Sequence, residues 1–474
     1  MKPLMLEEVR RAIHGRWLAR GEALTVRSVT TDTRSARAGE LFFALRGERM
    51  DGHRFLPQAA EAGCVGAVVA MDAELPDGMK TAFDGGIIGV ADTIAALGEL
   101  GAYYRRQLGA SVVAVTGSNG KTTVKRMIHH ILARRLTGTC SPKSFNNAIG
   151  VPLTLLAVSA GDDYVVCELG TNAPGEISLL AGMARPDVAV ITSVSPAHLE
   201  KLKSVERVAA EKASILGALA EDGLAVVCGD SELLARALRV YDRRIIRFGV
   251  SREAELRLTG HEPLGRRQRF ELNGCLWVDL PLAGRHNALN ALAAIAVARR
   301  FGFERQEAAA ALADFPGGDM RTEWIDLPGG TVINDAYNAN PASLAAAVDV
   351  LADCPGARKV LVAGDMKELG EKTEEFHRQA GLAMAGRGVD LLITVGPLGR
   401  YIAMGAAEGG LQTEAFDSGD AAGRQLRRLL RQGDTVLVKG SRAMAMEALI
   451  DPIRTALSRA TADEPPDGPE GQGN

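Results

Sequence analysis

Residues 111–123 read SVVAVTGSNGKTT, and the fold is decided there. The run from Ser111 to Thr116 is short, apolar and rich in β-branched residues, as a strand buried on both faces must be. Beyond it Val124, Met127, Ile128, Ile131 and Leu132 recur at helical spacing, so a helix opens near Lys121. A strand that runs through a glycine turn straight into a helix is the geometry of a phosphate-binding loop. Gly117 and Gly120 let the backbone turn tightly and aim several N–H groups at one point, where the helix N-terminus adds positive potential. Ser118, Asn119 and Thr123 complete the loop; Lys121 would neutralise β- and γ-phosphates, and the Thr122 hydroxyl would ligate Mg²⁺. The plain alternative, a glycine-rich turn with no ligand, gives no reason for Lys-Thr-Thr directly after the second glycine.

Outward from this stretch, short β-branched runs alternate with amphipathic helical segments, the pattern of α/β domains with largely parallel sheets. DYVVCELG (163–170), VAVITSV (188–194) and LAVVCGD (224–230) join SVVAVTG as strands of a central domain. TVINDAYN (331–338), VLVAGDM (360–366), LLITVG (391–396) and TVLVKGS (435–441) form a second sheet. The helical stretch NALNALAAIAVARRFG and the turn-rich DFPGGDM (314–320) separate the two sets. The expected class is therefore α/β in three domains. A small α/β domain spans 1–90, a central phosphate-loop domain with a mainly parallel sheet spans 91–314, and a Rossmann-like α/β domain spans 315–460. The tail TADEPPDGPEGQGN (461–474) is rich in Pro, Gly and acid and is expected to be disordered.

Composition narrows the function classes. The 474 residues are 46% hydrophobic and 24% charged, as in a globular protein with sizeable cores. A net charge of −3 gives no electrostatic reason to expect nucleic acid or an anionic membrane as partner. No apolar run reaches roughly 18 residues, so no integral membrane contact is expected. MKPLMLEEVRRAIHGRW lacks the apolar core of a secretory leader. The six cysteines are dispersed without a CxxC pair, which fits a reducing cytoplasm better than a zinc or disulfide framework. A cytoplasmic monomer is expected.

Val115 stands where a standard Walker A loop carries glycine, and no NKxD guanine-recognition motif is present. The shorter GxxGKT form resembles the loop of the Mur ligases and folylpolyglutamate synthases. The resemblance to the Mur ligase family extends over nearly the whole chain apart from the acidic tail. It rests on SPKSFNNAIGVPLTLL (141–156), ELGTNAPGEI (168–177), SVSPAHLE (193–200), ERVAAEKASIL (206–216), AGRHNALNALAA (283–294), DMRTE (319–323) and NDAYNANPAS (334–343). Ser193 and Ser195 depart from the Asn and Gly usual there.

The resemblance implies an ATP-dependent amide ligase using two Mg²⁺ ions. It makes Glu168 a Mg²⁺ ligand beside Thr122, His198 a ligand at a second Mg²⁺ site, and Lys212 a carbamylated lysine (N6-carboxylysine) supplying an anionic oxygen. Asn287, with Asn290 nearby, would contact adenine; Arg321 would reach the ATP phosphates from the C-terminal domain, and Asp335 would bind ribose. Lys121, His198, Lys212 and Arg321 are thereby the expected catalytic set.

VTTDTRSARAGELFFALRGERMDGHRF (29–55) resembles the family's uridine-nucleotide domain, with Asp32, Thr33 and Arg34 as a cluster suited to a uridine diphosphate. Ser144, Asn146 and Asn147 suit the nucleotide-sugar phosphates or the reacting end of the substrate. DAYNANP, GDMKELG (364–370) and VKGSRAMAME (438–447) match the members that add D-alanyl-D-alanine to UDP-N-acetylmuramoyl-tripeptide, and the DNPR signature of the diamino-acid-adding members is not found. Asn338, Asn340, Lys439, Ser441 and Arg442 follow predicted strands and become candidates for holding D-alanyl-D-alanine or the acceptor peptide. Polar surface loops are the plain alternative for these five.

Overall fold

The computed structural model describes residues 1–47, 50–354 and 358–460; the acidic tail expected to be disordered lies outside them. Three sheets follow one another along the chain. The first has five strands in the order Arg16–Arg20, Gly86–Val90, Gly66–Ala70, Glu40–Phe43, Ser28–Thr30, all parallel except the first pair. A short antiparallel pair, Leu4–Met5 with Thr25–Val26, lies beside it.

The central sheet has nine strands. Its parallel part runs Arg244–Gly249, Leu224–Cys228, Val188–Ile191, Ser111–Thr116, Tyr164–Glu168, Gly138–Cys140. Val112 to Val115 are fully buried, which explains the unbroken apolar run. After Ser111–Thr116 the chain lays down the edge strand Gly138–Cys140, returns to insert Tyr164–Glu168 beside Ser111–Thr116, then crosses to the other side at Val188–Ile191. That crossover makes the carboxyl end of Ser111–Thr116 a topological switch point, the place where open α/β sheets bind ligands.

The far side of this sheet departs from the parallel pattern. Leu256–Leu264, Arg267–Leu272 and Leu276–Leu280 form an antiparallel meander that extends it. The sequence did carry a signal here: Asn273 and Gly274 both take positive φ at the second turn, as residues in a tight hairpin do.

The third sheet has six strands in the order Glu323–Leu327, Gly330–Asn334, Asp434–Lys439, Arg358–Gly364, Leu391–Val395, Thr413–Phe416, parallel except at the first pair. The last strand in sequence inserts between Gly330–Asn334 and Arg358–Gly364. The loops opening with Asp335, Asp365 and Gly440 therefore leave the same edge of the sheet. Helix Thr93–Arg105 ties the first two sheets together, with Ala96, Leu97, Leu100 and Tyr104 in one core that reaches from Leu4 to the central strands. Its Tyr104 hydroxyl accepts from the Lys2 backbone N–H at 2.6 Å and donates to the Val158 carbonyl at 2.8 Å.

Candidate active site

The site begins at the phosphate loop. Helix Lys121–Leu132 buries Val124, Met127, Ile128, Ile131 and Leu132, the face expected from spacing. Among the described residues no side chain caps its N-terminus, so the first-turn N–H groups open into the cleft. Gly117 and Gly120 have φ of +147° and +83°. A Cβ at Gly117 would lie 1.9 Å from Thr192 Oγ1, and one at Gly120 would lie 2.4 Å from Asn290 Oδ1. Both positions therefore need glycine for conformation and for space.

The serines that depart from family usage brace this loop. The Asn119 N–H donates to Ser193 Oγ at 2.9 Å, and Asn119 Nδ2 donates to Ser195 Oγ at 3.2 Å. Lys121 Nζ donates to the Gly117 carbonyl at 2.9 Å, curling over the loop. Burial and the nearby Arg321 push its pKa down, while Glu168 opposes them.

Glu168, at the end of the adjacent strand, is buried and fully engaged. Its Oε2 accepts from Thr122 Oγ1 at 2.8 Å and its Oε1 from Asn146 Nδ2 at 2.9 Å. Lys125 Nζ lies 3.4 Å from Glu168 Oε2 and donates to the Ser141 carbonyl at 2.8 Å and to the Lys143 carbonyl. Sequence reasoning missed Lys125. Its position, four residues after Lys121 and three before Ile128, puts it on the buried stripe of the helix and was the available signal.

The third domain supplies the opposite wall. Arg321 Nη2 donates to Thr122 Oγ1 at 3.0 Å, and its guanidinium lies 3.9 Å from the centre of the Tyr337 ring, a cation–π contact that holds the arginine in place. Asn119 and Asn340 exchange amide hydrogen bonds at 2.8 and 3.3 Å, while Asn340 Oδ1 also caps helix Pro341–Ala352. The cleft so enclosed measures about 910 Å³.

Most sequence-predicted residues meet there. Ser118 to Thr123, Asn146, Asn147, Glu168, His198, Asn287, Asn290, Arg321, Asp335, Asn338, Asn340, Lys439, Ser441 and Arg442 line it. Others do not. Asp32 and Arg34 pair with each other at 2.6 Å on the exposed turn after Ser28–Thr30; they, Thr33 and Ser144 are not among the lining residues. Lys212 is 1% exposed and lies behind the wall, close enough to Lys121 for their charges to repel. Burial, then that repulsion, lowers its pKa to about 7.

Two residues expected to hold substrate are occupied within their own domain. Lys439 Nζ donates to Asp335 Oδ2 at 2.5 Å and to the Asn338 carbonyl at 3.0 Å. Ser441 Oγ accepts from the Lys367 N–H at 2.8 Å. With their polar atoms spent on 335–339 and 365–367, they order the loops that form the wall. Asn287 donates to the Ala283 carbonyl at 2.7 Å and accepts from Asn290 at 3.1 Å, so the two asparagines are held as a pair on one helix face.

Comparison with known proteins agrees with this architecture. Residues 25–105 match the Mur ligase family catalytic domain, 115–298 the Mur ligase middle domain, and 320–442 the Mur ligase glutamate ligase domain. The chain is 37% identical to the UDP-N-acetylmuramoyl-tripeptide–D-alanyl-D-alanine ligase of Bacillus subtilis, over 92% of this chain and 95% of the other. The crystal structure of MurF from Acinetobacter baumannii superposes with a TM-score of 0.87 at 32% identity, covering 96% of this chain and 99% of that one. MurF ligase from Thermotoga maritima in complex with ADP gives 0.80 at 26% identity, covering 92% and 98%. With three domains in the family's order around one phosphate-loop cleft, the chain belongs to the Mur ligase family.

Proposed function

We propose that this chain uses ATP to join D-alanyl-D-alanine to UDP-N-acetylmuramoyl-tripeptide, a step of peptidoglycan precursor synthesis in the cytoplasm. The observation that carries the reading is the bond from Arg321, on the third domain, to Thr122, in the phosphate loop of the second. A cation delivered across a domain boundary to the phosphates completes a phosphoryl-transfer site only when the domains meet. The names of the relatives, each a ligase for these two substrates, supply the substrate pair.

The triphosphate lies against the N–H groups of Gly120 to Thr123, with Lys121 and Arg321 opposing the charge that spreads over the γ-phosphoryl oxygens. The tripeptide's terminal carboxylate attacks the γ-phosphorus, the bond to the bridging oxygen breaks, and ADP leaves. The acyl phosphate so formed is attacked at its carbonyl carbon by the amine of D-alanyl-D-alanine. The amine loses a proton, phosphate departs and the amide remains. No side-chain nucleophile is needed; the protein contributes alignment, charge and the exclusion of water from a reactive intermediate. Asp335 suits the ribose and Asn287 with Asn290 the adenine. Asn338 and Arg442 face the incoming dipeptide, and Asp32, Thr33 and Arg34 the uridine diphosphate.

Mg²⁺ fits the residues present. The Thr122 hydroxyl and the Glu168 carboxylate are hard oxygen donors 2.8 Å apart at the lip of the phosphate loop, and His198 lines the same cleft. Bound with ATP, the metal would neutralise phosphate charge. Lys212 fits a carbamate: with its pKa near 7 a large share of the amine is neutral at physiological pH, and only the neutral amine adds CO₂.

The test is phosphate release from ATP with UDP-N-acetylmuramoyl-tripeptide and D-alanyl-D-alanine supplied singly and together. Release only with both, and a pentapeptide product by mass, is the expected result. ATP binding without turnover on either the diaminopimelate or the lysine tripeptide would reject this substrate pair.

A further inference from the structure

GDMKELG follows the strand Arg358–Gly364, and its Glu368 reaches out of the third domain to His198 of the second, accepting at Nδ1. Three further observations mark this contact as built. The Glu200 N–H donates to the Glu368 carbonyl at 3.2 Å, so the backbones are joined as well as the side chains. Gly370, at φ +71°, passes so close that a Cβ there would lie 3.2 Å from the Leu199 carbonyl oxygen. His198 and Glu368 themselves hold φ of 55° and 65°, a left-handed conformation that non-glycine residues rarely adopt. Two such residues facing one another across a domain boundary, both lining the cleft, are strain held where geometry matters.

The chemistry of the pair sets the ring. A carboxylate only accepts, so Nδ1 must carry a proton. In the neutral imidazole this leaves Nε2 as a lone-pair acceptor, and Nε2 has no hydrogen-bond partner among the described residues. Carboxylates that accept from one ring nitrogen commonly fix the orientation and basicity of the other.

We infer that Glu368 is a positioning residue that fixes the tautomer and orientation of His198, and does so only when the third domain is docked. The inference rests on the reading above that His198 serves the nucleotide cleft. Docking then aligns two groups in one movement: Arg321 onto the phosphate loop, and the ring of His198 within the same cleft. Glu368 is half exposed, so its replacement leaves no buried hole.

The test uses the full chain with nitrogen-15-labelled histidine, the His198 ring signals being those lost in His198→Gln. Wild type is expected to show the Nδ1–H tautomer. Glu368→Ala should move the ring toward Nε2–H and lower kcat by about tenfold, with KM for ATP changed by less than about twofold. Glu368→Gln, whose amide oxygen still accepts, should restore the tautomer and most of kcat. An unchanged tautomer in Glu368→Ala overturns the inference. Full activity in His198→Gln would instead refute the placement of His198 in the reaction, and the ring signals would still decide what Glu368 does to it.

Discussion

At the scale of single residues, two buried lysines matter most. Lys125 shares one pocket with Glu168 and the carbonyls of Ser141 and Lys143. Removing one member of a buried pair leaves the other charge unsolvated, which costs about 3–5 kcal/mol. Lys125→Met should therefore lower the unfolding free energy by about that amount in urea titrations, and activity should fall because Glu168 loses a fixed position. Lys212 gives a pH signature. Unfolded, its amine keeps a proton up to about 10.5; folded, only up to about 7. Between those values the unfolded chain binds the extra proton, so stability rises with pH across that window, and below it the full penalty of a buried charge is present. Chemical denaturation of CO₂-free protein from neutral pH upward should show that rise, and Lys212→Met should flatten it.

At the scale of elements, helix Thr93–Arg105 carries load for two domains at once. Asp92 caps it, with Oδ1 accepting from the N–H groups of Ile94 at 2.7 Å and Ala95 at 3.0 Å. Asp92→Ala is expected to cost about 1 kcal/mol. Because the first sheet and the central sheet share this helix in one core, a single cooperative transition should shift. Separate melting of the first domain in that variant would contradict the shared core. The phosphate-loop helix behaves differently. Its N-terminus is left uncapped, and the N–H groups that a cap would satisfy are those offered to phosphate.

At the scale of the molecule, the third domain is held to the second at more than one place. Far along the central sheet, the turn between Leu256–Leu264 and Arg267–Leu272 carries Arg266 over the Trp324 ring at 5.1 Å, and its guanidinium pairs with Asp326 on the strand Glu323–Leu327. Both partners are substantially exposed, so a double-mutant cycle of Arg266→Ala and Asp326→Ala should give a coupling of about 1 kcal/mol or less that fades in high salt. The half-buried contacts of Arg321 and Asn340 at the cleft should dominate docking. Scattering measurements on Arg266→Ala are expected to show a modest loosening, smaller than that of Asn340→Ala.

The sequence by itself determined the elements and the phosphate loop. A buried parallel strand must be apolar throughout, a helix must repeat at its own period, and a tight turn with positive φ admits glycine; all three are local demands, legible at 111–132. Family motifs added the order of the cleft residues, from Asn146 to Arg442. Only the tertiary structure decided which side chains meet and what each one bonds. Lys439 and Ser441 follow a strand as expected, yet their polar atoms are taken by Asp335, Asn338 and Lys367. Lys125 looks like one more helix lysine until Glu168, forty-three residues on, is packed against it. Glu368 and His198, 170 residues apart, have no relation in the chain and meet only because two domains dock. Spacing reports what a residue does to its own element; a partner supplied by another strand or another domain is set by packing, and no periodicity records it.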